Sequence, residues 1–268
     1  MLSHLKRCCA SVADQEGVTF EHIVIDAASK DGTPQWLENQ NSIKSISEPD
    51  DGMYQAVNKG FKLAKGNILA YLNCDEQYLP GTLQAAKEFF DKHEDIDILF
   101  GDMLVVDNEG ELIAYRKTFQ PRWQYICASY LYVFTCTMFI RRNVIDEGNY
   151  FDENLKGIGD AEFVIRLLKK GYIANHIKKY LSVFTITGHN LCLNNSAFKK
   201  EEATFRKMAP IWIKLSKVPL NILRLLEKAF CGSYSQKVPF EYCIYGTQNL
   251  IKRRSYIINS ATFRLPKY

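Results

Sequence analysis

The chain has 268 residues, 47% of them hydrophobic, enough for one large or two small domains with a full core. Its eight cysteines form no C-x-x-C pair and no Cys/His spacing that suits zinc. Lys6 and Arg7 are followed by no apolar core, so no signal peptide is read, and the expected setting is reducing and cytoplasmic. The longest apolar run, Ile126 to Ile140, falls short of the roughly 18–20 residues that span a bilayer and contains Ser129, Thr135 and Thr137. A buried helix-to-strand segment is expected there.

In chain order, Leu5 to Val12 predicts a helix. His22 to Asp26 predicts a buried strand ending in an acid, and Ala27 to Thr33 a loop. Pro34 to Asn39 opens a helix with proline where a first turn tolerates it. Ser45 to Glu48 reads as a short extended piece. Met53, Ala56, Val57, Gly60, Phe61 and Ala64 then fall on one helical face, with Asp50 and Asp51 ahead as cap candidates and Gly66 as a stop. Ile68 to Leu72 is short and apolar and fits a strand buried on both faces of a parallel sheet. Pro80 to Lys92 predicts a helix and Ile96 to Phe100 a strand. Leu104 to Tyr115 predicts a hairpin turning at Asp107–Gly110. Phe163 to Lys170 predicts a helix stopped by Gly171. Strand and helix alternate through about residue 100, which argues an α/β fold.

Two acidic clusters fall at one end of such a sheet, where α/β proteins bind ligands: Asp50-Asp51 before a helix and Asn73-Cys74-Asp75-Glu76 after a strand. Each acid can serve as a cap or a solvated turn; together they suit a divalent metal held against a phosphate. Gly157-Ile158-Gly159 allows a tight loop before Asp160 and Glu162. Asp160 is either the helix cap or a rigid carboxylate at a cleft rim, as a general base requires.

Charge is unevenly spread. Lys199 to Tyr268 carries 14 Lys/Arg against 4 Asp/Glu, which leaves residues 1–198 acidic. Trp212, Leu215, Ile222 and Leu226 mix there with Lys214, Lys217 and Lys228, as in interfacial helices. An anionic membrane face is the expected partner of this tail; no nucleic-acid reading motif is visible.

Four blocks in order carry a resemblance. They are Ile23–Asp26 with Ser29-Lys30-Asp31-Gly32-Thr33; Asp51-Gly52-Met53-Tyr54 with Ala56, Asn58, Lys59 and Gly60; Leu72 to Glu76; and Gly159 to Phe163 with Leu167, Leu168 and Gly171. Together they resemble family 2 glycosyltransferases of the GT-A fold, of the bacterial kind that builds surface polysaccharide in the cell envelope. The resemblance implies an α/β fold, a Rossmann-like mixed sheet flanked by helices, over residues 1–198, with a basic helical extension at 199–268. It implies inverting transfer of a sugar from a nucleotide-diphosphate sugar to a hydroxyl of a saccharide or lipid-linked acceptor. Asp160 would be the catalytic base. Asp26 would meet the nucleobase and Asp51 the donor's sugar or ribose, with Asp31, Lys59 and Glu162 also on the substrate side. Asp75, with Asn73 or Glu76, would hold Mg²⁺ or Mn²⁺. The expected location is cytoplasmic, at the inner face of the plasma membrane.

This chain departs from the family pattern in four places. The usual first apolar strand has no counterpart, so a gap or an unpaired edge is expected beside Ile23–Asp26. Ala27-Ala28 stands for a glycine-containing pair, and Asn73 for the first acid of D-x-D. Cys136-Thr137 stands for His-Gln, which would alter an acceptor pocket. His189 is a further candidate for metal or diphosphate. A non-catalytic nucleotide-sugar-binding remnant is the alternative reading. A nucleotidyltransferase is less well matched, because no Gly-rich basic phosphate loop lies near the start.

Overall fold

The computed structural model describes residues 1–188, 201, 203, 209–247 and 250–265. The elements run α1 (Leu2–Ala13), β1 (Ile23–Asp26), α2 (Thr33–Glu38), β2 (Lys44–Ser47), α3 (Met53–Leu63), β3 (Ile68–Ala70), β4 (Glu76–Tyr78), α4 (Thr82–Lys92), β5 (Ile98–Val106) and β6 (Leu112–Arg116). They continue with α5 (Trp123–Ala128), β7 (Phe139–Arg141), α6 (Arg142–Asp146), α7 (Gly159–Lys170), β8 (Ala174–Thr185), α8 (Ile211–Leu215), α9 (Lys217–Phe230), β9 (Phe240–Ile244) and β10 (Arg254–Ile258).

A six-stranded mixed sheet forms the centre, in the order β3-β7-β5-β8-β4, with β6 also on β5. Strand β5 is long because its two halves serve different neighbours. Ile98 and Leu99 pair with β7, while Met103 to Val106 pair with β6 across the predicted turn. Its other edge runs parallel to β8. Alternation along β5 sends side chains to two layers. Ile98 and Phe100 join Phe61 of α3 and Phe163 and Leu167 of α7 on one face. Leu99 joins Val12 of α1 and Ala86 and Phe90 of α4 on the other. A third cluster covers the far half of β5 with Tyr242, Ile244, Tyr256 and Ile258 of the antiparallel pair β9–β10.

Three local expectations change. Ile68 to Leu72 is not a central parallel strand: β3 keeps three residues at the sheet edge and pairs antiparallel with β7. Asp50 and Asp51 do not cap α3 through their side chains; Gly52 is the N-cap residue, and Asp50 Oδ1 instead accepts the Gly52 N–H at 3.0 Å. The C-terminal extension is not helical throughout, since the β9–β10 hairpin follows α9 and packs on the sheet.

Strands β1 and β2 are parallel to one another and form a sheet of their own. Among the described residues, neither β1 nor β3 has a strand on its remaining edge. The sheet is therefore split between β1 and β3, where the resemblance implies a further central strand. Helices bridge the split on both faces. On one, Cys9 of α1 packs with Val24 while Val12 of the same helix packs with Ile68 and Ala70. On the other, α3 runs from the core to Gly60, which faces Ile25.

Candidate active site

Asp160 lies in the first turn of α7, where a carboxylate meets the positive end of the helix dipole. The cap position is taken by Ile158. The Asp160 side chain is drawn inward to a set of hydroxyls. Tyr71, just past β3, donates to Asp160 Oδ1 at 3.3 Å, and the Tyr54 and Thr135 hydroxyls bond the same carboxyl. Burial pushes the carboxyl up to about 6, while these three hydroxyls pull in the opposite direction by favouring the anion.

The second block of the sequence builds the support for this residue. Tyr54 of α3 is 2% exposed and stacks on Phe151 at 5.2 Å. Its hydroxyl oxygen accepts the Asp160 N–H at 3.1 Å. The ring passes so close to Gly159 that a Cβ there would stand 2.4 Å from Tyr54 Cε2. One turn on, buried Asn58 clamps the loop ahead of α7: Nδ2 donates to the Phe151 carbonyl and to Glu153, and Oδ1 accepts the Phe151 N–H, each at 2.9 Å. Glu201 completes the clamp by accepting the N–H groups of Lys156 and Gly157, both at 2.9 Å. The roles of Tyr54, Asn58 and Glu201 in holding Asp160 were not foreseen from the sequence. Tyr54 and Asn58 lie i, i+4 on α3, a spacing that places them on one face and that a search for paired polar residues would have found.

Across from Asp160 is the turn Asn73–Glu76. Glu76 opens β4, is 3% exposed, and accepts the Asn73 N–H at 2.7 Å and the Asn73 amide at 3.3 Å. Burial, then the neighbouring Asp75 charge, push its carboxyl up to about 8, and Asp160 adds to the same effect. Glu76 thus stands within electrostatic reach of both Asp75 and Asp160. Glu76 is turned inward to close the turn, and Asp75 and the Asn73 amide carry its other ligand-type oxygens. These oxygens suit Mg²⁺ or Mn²⁺, which one or two carboxylates and a bound diphosphate can hold. Among the described residues, no three His, Cys, Asp or Glu form a ready metal cluster.

The remaining predicted residues form two further groups. Asp26, at the end of β1, is 7% exposed, and its Oδ2 accepts from Ser29 N–H at 3.0 Å and Ser47 hydroxyl at 2.6 Å. Asp31 accepts the Leu2 N–H at 2.9 Å and the Thr33 hydroxyl at 2.6 Å, and the Met1 amino group and Thr33 hold its carboxyl far below the usual range. The first turn of α1 is thereby tied to the Asp31 loop. Asp51 lies by Lys156, whose ammonium donates to its carbonyl. Lys59 is ion-paired with Glu48 at 2.5 Å, and Glu162 with Arg166 at 2.7 Å, so both have structural partners. Cys136 and Thr137 are buried and bonded to Ser182 and to the Gly101 backbone. His189 lies outside the described residues. No helix of the described residues is long and apolar enough to cross a membrane.

With this geometry established, comparison with known proteins is direct. The profile described as Glycosyl transferase family 2 matches residues 2–200. An uncharacterized glycosyltransferase of Methanocaldococcus jannaschii is 25% identical over 74% of this chain and 71% of its own length. A PGL/p-HBAD biosynthesis glycosyltransferase of Mycobacterium bovis is 32% identical over 38% of this chain and 42% of its own. Among solved structures, S. aureus TarS 1-349 superposes with a TM-score of 0.56 at 24% identity, over 69% of this chain. The match spans 58% of that TarS chain. A longer S. aureus TarS structure superposes at 0.59 over 91% of this chain. The mixed sheet flanked by helices is the one these neighbours share, and the chain belongs to glycosyl transferase family 2, with a GT-A fold and the class of a glycosyltransferase.

Proposed function

We propose that the chain transfers a sugar, with inversion at the anomeric carbon, from a nucleotide-diphosphate sugar to a hydroxyl of a saccharide or lipid-linked acceptor, in surface polysaccharide synthesis. The observation that carries this reading is the Asp160 carboxyl. It is anchored through its backbone and side chain by Tyr54, braced by Tyr71 and Thr135, and raised to about 6 opposite the Asp75–Glu76 turn. A base with that value is ionised at neutral pH yet still attracts a proton, which is the compromise general-base catalysis favours. Asp160 takes the acceptor proton as the hydroxyl attacks. Asp75, with Asn73 and Glu76 beside it, would hold a divalent cation, which would supply charge neutralisation for the departing diphosphate. The Asp26 and Asp31 loops take the nucleotide end and Asp51 the sugar or ribose side. Complexes of TarS with UDP and with UDP-GlcNAc support a nucleotide-sugar donor and make UDP-GlcNAc the first to test.

The split between β1 and β3 favours a second reading, a remnant that binds nucleotide sugar without transferring it. One experiment separates the two. Donor sugars are screened with Mn²⁺ or Mg²⁺, and Asp160→Asn is compared with the parent for donor binding and for turnover. Lost turnover with retained binding supports the base. Equal turnover removes Asp160 from the role, and binding without turnover in the parent itself selects the remnant.

A further inference from the structure

Helix α9 is mounted inside out. Leu220, Arg224, Glu227 and Cys231 recur at i, i+4, i+7 and i+11, which is one helical face; that face meets the body, with Leu220 and Cys231 against the main core cluster and Arg224 and Glu227 in polar contacts. Arg224 is 6% exposed, sits 4.9 Å over the Tyr130 ring and donates to its hydroxyl at 3.3 Å. Glu227 receives Arg122 through two nitrogens at 2.9 and 3.1 Å. Asn221 donates to the Ala128 carbonyl at 3.2 Å. The opposite side carries Val218, Ile222, Leu223, Leu225, Leu226 and Phe230, all exposed, with Phe230 at 88%. Leu215 of α8 extends the ridge at 80%. An ordinary surface helix does the reverse, burying its apolar stripe and showing its charges. A contiguous exposed apolar surface of this size marks an interaction site.

We propose that the outer face of α8 and α9 docks on the surface of an anionic lipid bilayer. Three observations select this occupant. The ridge is flanked by Lys214 and Lys217, both exposed. The one acid between Ile211 and Phe230 is Glu227, already paired with Arg122, so the ridge offers positive charge to headgroups. Trp212, 45% exposed, adds the amphipathic ring that interfaces favour. A second copy of this chain would bring the same cations to the same contact and meet like charge. At 14 residues α9 is about 21 Å long and lies in the plane of the interface rather than across it. Docked this way, the body would be held beside a lipid-linked acceptor. The contact itself does not depend on the reaction proposed above, and donor binding measured on the same preparation tests that reaction separately.

The test is co-sedimentation of the full chain with vesicles of phosphatidylglycerol and phosphatidylcholine, against vesicles of phosphatidylcholine alone. Binding to the anionic vesicles, at least about tenfold above the neutral ones, is expected. Leu226→Asp with Phe230→Asp should abolish it at an unchanged melting temperature, since both side chains point to solvent. Lys214→Gln and Lys217→Gln should each weaken it about fivefold. Absence of binding, or equal binding to both vesicle types, overturns the proposal. So does a dimer in size-exclusion chromatography that the same Asp pair dissociates while vesicle binding is absent; the face would then belong to a second copy.

Discussion

Replacing Gly159 by Ala tests how the site is built with a single methyl group. That carbon would lie 2.4, 2.6 and 2.9 Å from three atoms of the Tyr54 ring. The ring cannot retreat easily, because it is 2% exposed and backed by Phe151. Overpacking of this kind costs about 1–3 kcal/mol, against a helix-propensity gain of up to about 1 kcal/mol that is smaller at a first helical position. A net loss of about 1–2 kcal/mol corresponds to a melting point lower by about 3–6 °C for a chain of this size. Moving Tyr54 also withdraws a hydroxyl that favours the Asp160 anion. A hydrogen bond worth about 1 kcal/mol is about 0.7 of a pKa unit, so the acidic limb of the rate profile should move up by about that amount. Thermal melts and transfer rates against pH measure both effects, with Gly246→Ala, which meets nothing within 4 Å, as the control. A Gly159→Ala protein that melts at or above the parent, with an unmoved acidic limb, would refute the account.

Tyr71→Phe removes another donor from Asp160 and should raise the same limb above about 6 without a steric change; an unchanged or lowered limb contradicts the role. Asp160→Asn has a stability signature as well. The Asp160 carboxyl titrates at about 6 in the folded chain against an ordinary 3.8, so the parent loses stability as pH rises between those values and nothing further above them. The loss is about 3 kcal/mol, and denaturant curves of parent and variant should diverge by that amount across the window; parallel curves would be the contrary result. Ala28, with φ of 54°, holds a left-handed conformation that costs an alanine about 1 kcal/mol. Ala28→Gly should therefore stabilise by about 0.5–1 kcal/mol in a melt, and a lower melting point would show that the loop is not strained.

Much of this protein is legible in local patterns. Periodicity locates α3 and α7, because a helix that buries one face must repeat its apolar residues at that spacing. Turn chemistry at Asp107–Gly110 locates the β5–β6 hairpin, and the order of the four blocks marks the family. The same reading misplaced β3. Three apolar residues pair equally well in a sheet centre or at an edge, and only the neighbouring strand decides which. The difference between Asp75 and Glu76 was also hidden. They are adjacent and chemically alike, but the β4–β8 register turns Glu76 into the interior and onto Asn73.

What the sequence by itself determined is that the segments of α3, α4, α7 and the β5–β6 hairpin become helix or strand and which acids fall at their ends, since these depend on neighbours within a few residues. What the tertiary structure decided is everything that needs two distant segments to meet. Tyr54 reaches Asp160 across 106 positions. Arg224 finds Tyr130 and Arg122 finds Glu227, and so the polar side of α9 turns inward and its apolar side outward. The amphipathic pattern at 217–230 reads the same whichever face points in; the partners waiting on α5 and beside it fix the choice.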